Sequence, residues 1–151
     1  MSPRIVTLDR FLLDRLVETE RDPLTAEMAE GEGFAQRTLC DPRFSFAMID
    51  GGDAVMGAGL VPYWAGRAEG WCLISKAARP RHIVAAARAV KIFLDKRQRD
   101  PAFRRVEIFV RAHERWSESF ALAMGFREEG FHRAWDAAGR DYRCFARVAE
   151  V

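Results

Sequence analysis

Behind Asp9, the residues Phe11, Leu12 and Leu16 recur at helical spacing, with Arg15 and the acids Glu18 to Glu20 between and after them. This predicts a first helix capped by the Asp9 carboxylate. A second helical stretch is expected from about Thr25 to Thr38, with Thr25 as its cap and Gly31 and Gly33 weakening it. The period then changes from 3.6 to 2. Phe44, Phe46 and Met48 alternate with Ser45, Ala47 and Ile49 and run into Asp50-Gly51-Gly52-Asp53, a hairpin turn signal that joins this strand to a return strand over 54–61. Gly57 and Gly59 inside the return strand mark a bulge or a close backbone approach, and Pro62 is expected to end it. After a loop closed by Gly66 and Gly70, the unbroken apolar run Trp71-Cys72-Leu73-Ile74 reads as a strand buried on both faces.

The clearest helix runs from Pro80 to about Arg99. Proline suits its first position, and Ile83, Ala87, Val90 and Leu94 form one apolar face. Asp100-Pro101 stops it. Val106, Ile108 and Val110 then alternate with Glu107 and Phe109, so strand, crossover helix and strand make a βαβ unit with parallel strands. A short helix over about 115–124 ends at Gly125, a residue suited to the left-handed position past a helix end. A hairpin closes the chain, 126–135 returning as 142–148. The order α, α, β, β, β, α, β, α, β, β argues a mixed α/β sheet flanked by helices in one domain spanning 1–151, with ligands expected at the strand C-terminal ends, after Ile74 and Val110.

Composition narrows this little: 151 residues, 49% apolar and 30% charged, suit one soluble domain. No apolar run is long enough to span a bilayer and the first residues lack an apolar signal core, so a cytoplasmic protein without a membrane partner is expected. Cys40, Cys72 and Cys144 show no metal-ligand spacing, so neither a disulfide framework nor a metal site is expected. Charge is more informative. The net +2 conceals an acidic first part, 7 Arg against 12 Asp and Glu over 1–70, and a basic second part whose steepest stretch, 76–105, holds ten cations against Asp95 and Asp100. Such a run suits an anionic partner or a solvated helix face.

Individual residues refine that choice. Arg79 and Arg81 stand at a helix start, where the macrodipole disfavours cations by a few tenths to about 1 kcal/mol, and a bound anion would relieve the conflict. Few aromatics interleave with the basic face and no nucleic-acid motif is present, so nucleic acid is not the expected partner. Glu107 could serve as a general base if an apolar setting raised its pKa; paired with Arg105 or Arg111 it would be a surface carboxylate. His82 and His113 are secondary candidates. Tyr63 and Trp64 follow Pro62 in an expected loop, where large aromatics suit a substrate groove or a partner surface.

The element order and the Gly125-Phe126 pair resemble the GNAT superfamily of acyl-CoA-dependent N-acyltransferases over essentially the whole chain. In that family an Arg or Gln followed by spaced glycines opens the central helix. The run Ile74-Ser75-Lys76-Ala77-Ala78-Arg79-Pro80-Arg81-His82-Ile83-Val84 aligns with that motif, with Arg79 in the arginine place and Pro80, His82 and Val84 where glycines are usual. Ala121 stands where many members carry a tyrosine that protonates the CoA thiolate, which leaves Tyr63 or Tyr142 to substitute. The resemblance implies an acetyl-CoA-dependent N-acetyltransferase acting on a small-molecule or peptide amine. Arg79, Arg81, His82, Ile83 and Val84 would hold the cofactor phosphates and the backbone of Leu73, Ile74 and Ser75 the thioester. Glu107 and Tyr142 would be catalytic, Tyr63 and Trp64 substrate-binding, and a homodimer is admitted as the assembly. A second likeness, carried by 71–148, is to small GNAT-like proteins of tailed phages, which would make the chain a non-catalytic virion or morphogenesis protein binding a macromolecule.

Overall fold

The computed structural model describes residues 2–22 and 41–150; the helix expected at Thr25 to Thr38, and Cys40, lie outside them. Its elements are β1 (Arg4–Val6), α1 (Arg10–Thr19), β2 (Ser45–Asp50), β3 (Asp53–Trp64), β4 (Arg67–Ile74), α2 (Pro80–Arg97), β5 (Arg105–Arg111), α3 (Arg115–Ala123), β6 (Arg127–His132) and β7 (Tyr142–Val148). The strands form one mixed sheet in the order β1-β2-β3-β4-β5-β7-β6, flanked by the helices. Among the described residues no helix is long and apolar enough to cross a membrane. The internal contacts group into two units, 1–61 with 71–86 and 62–70 with 87–151.

In the first unit, the Asp9 carboxylate accepts the amide of Leu12 at 2.8 Å and starts α1 as the sequence requires. That helix turns Leu13, Leu16 and Val17 onto Ala47 and Leu73, with Leu12, Ala54 and Trp71 packed against the cluster. β2 and β3 pair as the expected hairpin, Asp50 opposite Asp53, with Gly51 at φ 63°. The bulge lies at Met48 and Ile49 and not at the β3 glycines. Those glycines answer a close approach. A Cβ on Gly59 would stand 2.6 Å from the Phe44 carbonyl oxygen and 2.8 Å from the Trp71 indole nitrogen; on Gly57 it would stand 2.8 Å from Leu16.

In the second unit, Arg67, Ala68 and Glu69 lie opposite Arg105, Val106 and Glu107 in parallel register, which fulfils the βαβ expectation. β7 pairs antiparallel with both β5 and β6. Gly125 ends α3 at φ 91°, and the next amide, Phe126, returns to the Ala121 carbonyl. Two expected boundaries move. β3 runs through Pro62, so Tyr63 and Trp64 belong to a strand end and not to a loop, and β4 begins at Arg67 after a two-residue turn with Gly66 at φ 98°. A proline is tolerated in a strand where its missing N–H is not called on by the ladder.

Glu107 faces the side of β5 opposite Val106, and there it is nearly enclosed by cations. Its carboxylate takes Arg67 through Nε and Nη2 at 2.7 and 3.0 Å and Arg105 Nε at 2.9 Å, while Arg105 also grips Glu129 at 3.0 and 3.1 Å. The Arg67 guanidinium beside it, with Arg105 second, holds the Glu107 carboxyl at about 2.

Gly59→Ala is expected to destabilise the chain by about 2 to 3 kcal/mol, since the nearest obstacle is backbone that cannot swing away. Gly52→Ala, with nothing within 4 Å of the added carbon, should be close to neutral by thermal denaturation. Because the Glu107 pKa is lowered by folding, its contribution to stability is complete above about pH 4.5 and disappears as pH falls towards about 2. Melting temperatures measured between pH 2 and 6 should therefore fall less steeply on acidification in Glu107→Gln than in the parent.

Candidate functional site

A cavity of about 480 Å³ opens at the N-terminus of α2, lined by Asp50, Asp53, Val55, Arg81, His82 and the 76–79 turn. Three cations, Lys76, Arg79 and Arg81, surround it at the positive end of a helix dipole, which is the electrostatic setting of an anion site. The site exists because β4 ends in the first unit and the chain must turn into a helix. At that turn most of the backbone groups are bonded within the chain.

Pro80 occupies the first helical position, leaving Arg79 as the cap. The Arg79 amide donates to Nδ1 of His82 at 2.9 Å, so the third helical side chain reaches back to the cap amide as a glutamate does in a capping box. An imidazole nitrogen that accepts a backbone N–H carries no proton, so the ring hydrogen of neutral His82 lies on Nε2. Nε2 donates to Asp50 at 2.7 Å, and Arg81 Nη2 meets the same Asp50 oxygen at 2.9 Å. The hydrogen bond from His82, followed by the charge of Arg81, holds the Asp50 carboxyl below the usual carboxylate range. The amides of His82 and Ile83 both turn back to the Arg79 carbonyl. Ala77 donates to Ser75 Oγ at 3.1 Å.

The strand end is closed in the same way. Glu20 and Ser75 form an antiparallel bridge. The Ile74 amide donates to Glu20 Oε2 at 2.7 Å, the Ile74 carbonyl accepts the Arg21 amide at 3.0 Å, and the Lys76 amide reaches the Thr19 carbonyl at 2.7 Å. The Ser75 amide goes to Val55, while its carbonyl accepts Arg21 Nε at 3.2 Å; Arg21 Nη2 continues to the Ala78 carbonyl. Glu20 is thus not one more polar position of an exposed helix face. It is 7% exposed, and burial pushes its carboxyl up from the ordinary value.

These placements revise several expectations. Arg79, Arg81 and His82 do come together around one cavity. Ile83 and Val84 do not line it, and Val84 is 53% exposed. Pro80 is absent from the lining as well. The Ile74 and Ser75 backbone groups, expected to be offered to a thioester, are already bonded within the chain. Asp50, Lys76 and Glu20 escaped the sequence reading as site residues. Asp50 reads locally as a turn residue and Lys76 as one cation of a run; their neighbours come from 32 residues away or from the far side of a turn.

In the second unit, Arg67 draws three of the remaining candidates together. Its guanidinium lies 4.6 Å from the ring centroids of both Tyr63 and Trp64 and is bidentate to Glu107; the Tyr63 hydroxyl donates to Glu69. A carboxylate held at about 2 by two guanidinium groups is a poor proton acceptor near neutrality. Of the two readings the sequence left open for Glu107, the geometry therefore favours pairing with Arg105, with Arg67 added and the group buried rather than at the surface. Tyr142 is buried at the start of β7. Its hydroxyl donates to Asp136 Oδ2 at 3.1 Å and accepts Arg140 Nη2 at 3.3 Å, so its proton is committed to the loop between β6 and β7. His113 is not in the cavity lining.

No protein-family model matches the chain, and no curated protein matches its sequence. Solved structures do match its fold. A GNAT-family acetyltransferase from Bacillus anthracis aligns at TM-score 0.70 and 14% identity, covering 98% of this chain and 95% of its own. The protein yncA of Salmonella typhimurium, solved with its cofactor acetyl-CoA, aligns at 0.71 and 9%, covering 99% and 95%. A spermidine N-acetyltransferase chimera of Vibrio cholerae SpeG and human SSAT aligns at 0.68 and 15%, covering 98% and 96%. The likeness to phage proteins finds no support among these structures. At such identities the matches speak for architecture: from end to end, the chain has the fold of the GNAT acetyltransferases.

Proposed function

We propose that the chain is an acetyl-CoA-dependent N-acetyltransferase acting on a primary amine. The observation that carries the reading is the cavity at the start of α2, where Lys76, Arg79 and Arg81 converge on a helix N-terminus in a chain of this fold. By charge these residues fit the cofactor's phosphates. By backbone they fit less well: Pro80 has no amide hydrogen and the Arg79, His82 and Ile83 amides are spent internally. Phosphate binding therefore falls to the three side chains.

Acetyl-CoA would supply an activated acyl thioester. The acceptor, once its ammonium proton has passed to water, would attack as a free amine, the C–S bond breaking as the C–N bond forms and the sulfur leaving as the thiol with the second nitrogen proton. The chain's part is to hold the reactants. Leu73, Ile74 and Ser75 would position the thioester once Glu20 and Arg21 release the Ile74 backbone. Tyr63 and Trp64 would receive the amine, since both rings already take a guanidinium at 4.6 Å and an ammonium group is drawn to the same faces. The spermidine N-acetyltransferase chimera among the fold matches makes a small polyamine a natural first acceptor to assay. With Glu107 kept ionised by arginines and the Tyr142 proton directed at Asp136, neither is given a proton-transfer role. The rate enhancement then comes chiefly from juxtaposition, which in well-oriented systems lowers a barrier by about 7 to 11 kcal/mol.

Acetyl-CoA at 100 times its dissociation constant should add about 2.7 kcal/mol to stability and raise the melting temperature accordingly. Absence of any shift at millimolar acetyl-CoA, together with no thiol release against a panel of polyamines and peptide amines, would refute the reading. Lys76→Gln and Arg79→Gln should each weaken acetyl-CoA binding by roughly tenfold in calorimetry, the loss expected for one charge-assisted contact, with little change in melting temperature because both side chains are exposed.

A further inference from the structure

The cavity that the proposed function assigns to phosphates already holds an anion, and that anion is part of the chain. Asp50, the last residue of β2, has a side chain only 10% exposed, and its Oδ2 stands 2.7 Å from His82 Nε2 and 2.9 Å from Arg81 Nη2. It supplies the negative charge that a helix start crowded with cations calls for. It also uses Arg81, one of the three cations a phosphate would need, and occupies the outward-facing donor of His82, whose other nitrogen is locked on the Arg79 amide. A phosphate entering the cavity meets this carboxylate at close range, and like charges so placed repel strongly in a partly dehydrated site.

We propose that Asp50 is a tethered anion that fills the phosphate site of the free protein, so that a phosphate-bearing ligand binds by displacing the carboxylate from Arg81 and His82. The proposal rests on the reading of the cavity as the cofactor's phosphate site. It assigns a regulating role to this chain's own residue: affinity is set by how readily Asp50 gives way, and the cation run over 76–105 is less available to ligands than its charge suggests.

Asp50→Asn isolates the charge, since an asparagine oxygen still accepts from His82 Nε2 while the ion pair to Arg81 is lost. Calorimetric titration with coenzyme A, and separately with inorganic pyrophosphate, should show binding to Asp50→Asn tighter than to the parent by on the order of tenfold, the size of effect one displaced like charge produces. Asp50→Ser serves as a second variant that removes charge and reach together, and should bind at least as tightly as Asp50→Asn. The unaltered protein gives an independent readout: saturation with coenzyme A should move the nitrogen and proton resonances of His82 Nε2, whose Asp50 partner leaves. Parent affinity equal to or greater than that of both variants, or His82 resonances unchanged at saturation, overturns the tethered anion while leaving the cavity as a phosphate site. Absence of coenzyme A binding in all three proteins overturns the phosphate reading itself and this proposal with it.

Discussion

A strand that ends inside a folded chain leaves amides and carbonyls that must find partners, because an unpaired buried backbone group costs about as much as a lost hydrogen bond. The end of β4 imposes this requirement on the first unit, and most of what is distinctive there follows from how it is met. Ile74 is closed by the Glu20 carboxylate and the Arg21 amide, Lys76 by Thr19, Ser75 by Val55 and Arg21. The problem recurs at the Arg79 amide, at the start of α2, where His82 closes it and Asp50 in turn holds His82. Burying Glu20 is costly, as its raised pKa records, yet the same carboxylate satisfies the amides of Ile74 and Asp22. The arrangement holds the turn from β4 to α2 in a single shape, and that turn is the floor of the cavity.

Side-chain pairing also changes what the charge distribution means. As a count, the stretch 76–105 is a field of cations awaiting an anion. In the fold its members separate: Arg81 is paired with Asp50, Arg105 is gripped by Glu107 and Glu129, and Arg97 lies 5.4 Å from the Phe93 ring centroid. Arg67, outside the stretch, completes the network on β5. The acidic first part of the sequence supplies Asp50 and Glu20, so a share of the charge asymmetry is consumed internally. Lys76 and Arg79 remain at the cavity rim, and on the proposed reading a ligand there would compete with Asp50 for Arg81.

The features legible in the sequence were those that local chemistry determines. The Asp9 cap, the Asp50 to Asp53 turn, Pro80 at a first helical position and Gly125 past a helix end each need only a few neighbouring residues, and the alternation of Val106, Ile108 and Val110 set the crossover strand. Boundaries failed where a local breaker was outvoted: Pro62 reads as a stop, yet β3 continues to Trp64. The site was legible by halves. Arg79 and Arg81 announced themselves by sitting at the wrong end of a dipole. Asp50 and Glu20 did not, since a turn aspartate and a helix-end glutamate are ordinary where they stand, and their partners lie 32 and 54 residues away. Glu107 was placed on the correct face and its pairing with Arg105 was one of the two readings the sequence left open; Arg67, which also holds it, was not legible because it comes from a different strand.

The glycines missing from the start of α2 now have a physical reading. A glycine at position 82 would leave the Arg79 amide without a side-chain acceptor, and an amide at a helix N-terminus is then free to bond a ligand oxygen. His82 supplies that acceptor from within, and in doing so its opposite nitrogen becomes a donor that recruits Asp50. One substitution relative to the glycine pattern thus brings in both a cap and an anion, and the two are coupled through a single imidazole ring. A phosphate competing for this helix start has to satisfy Arg81 better than Asp50 does, without the help of the Arg79 amide. Compared with a helix start left open by glycine, this one is complete without a ligand, and Lys76, Arg79 and Arg81 still surround it.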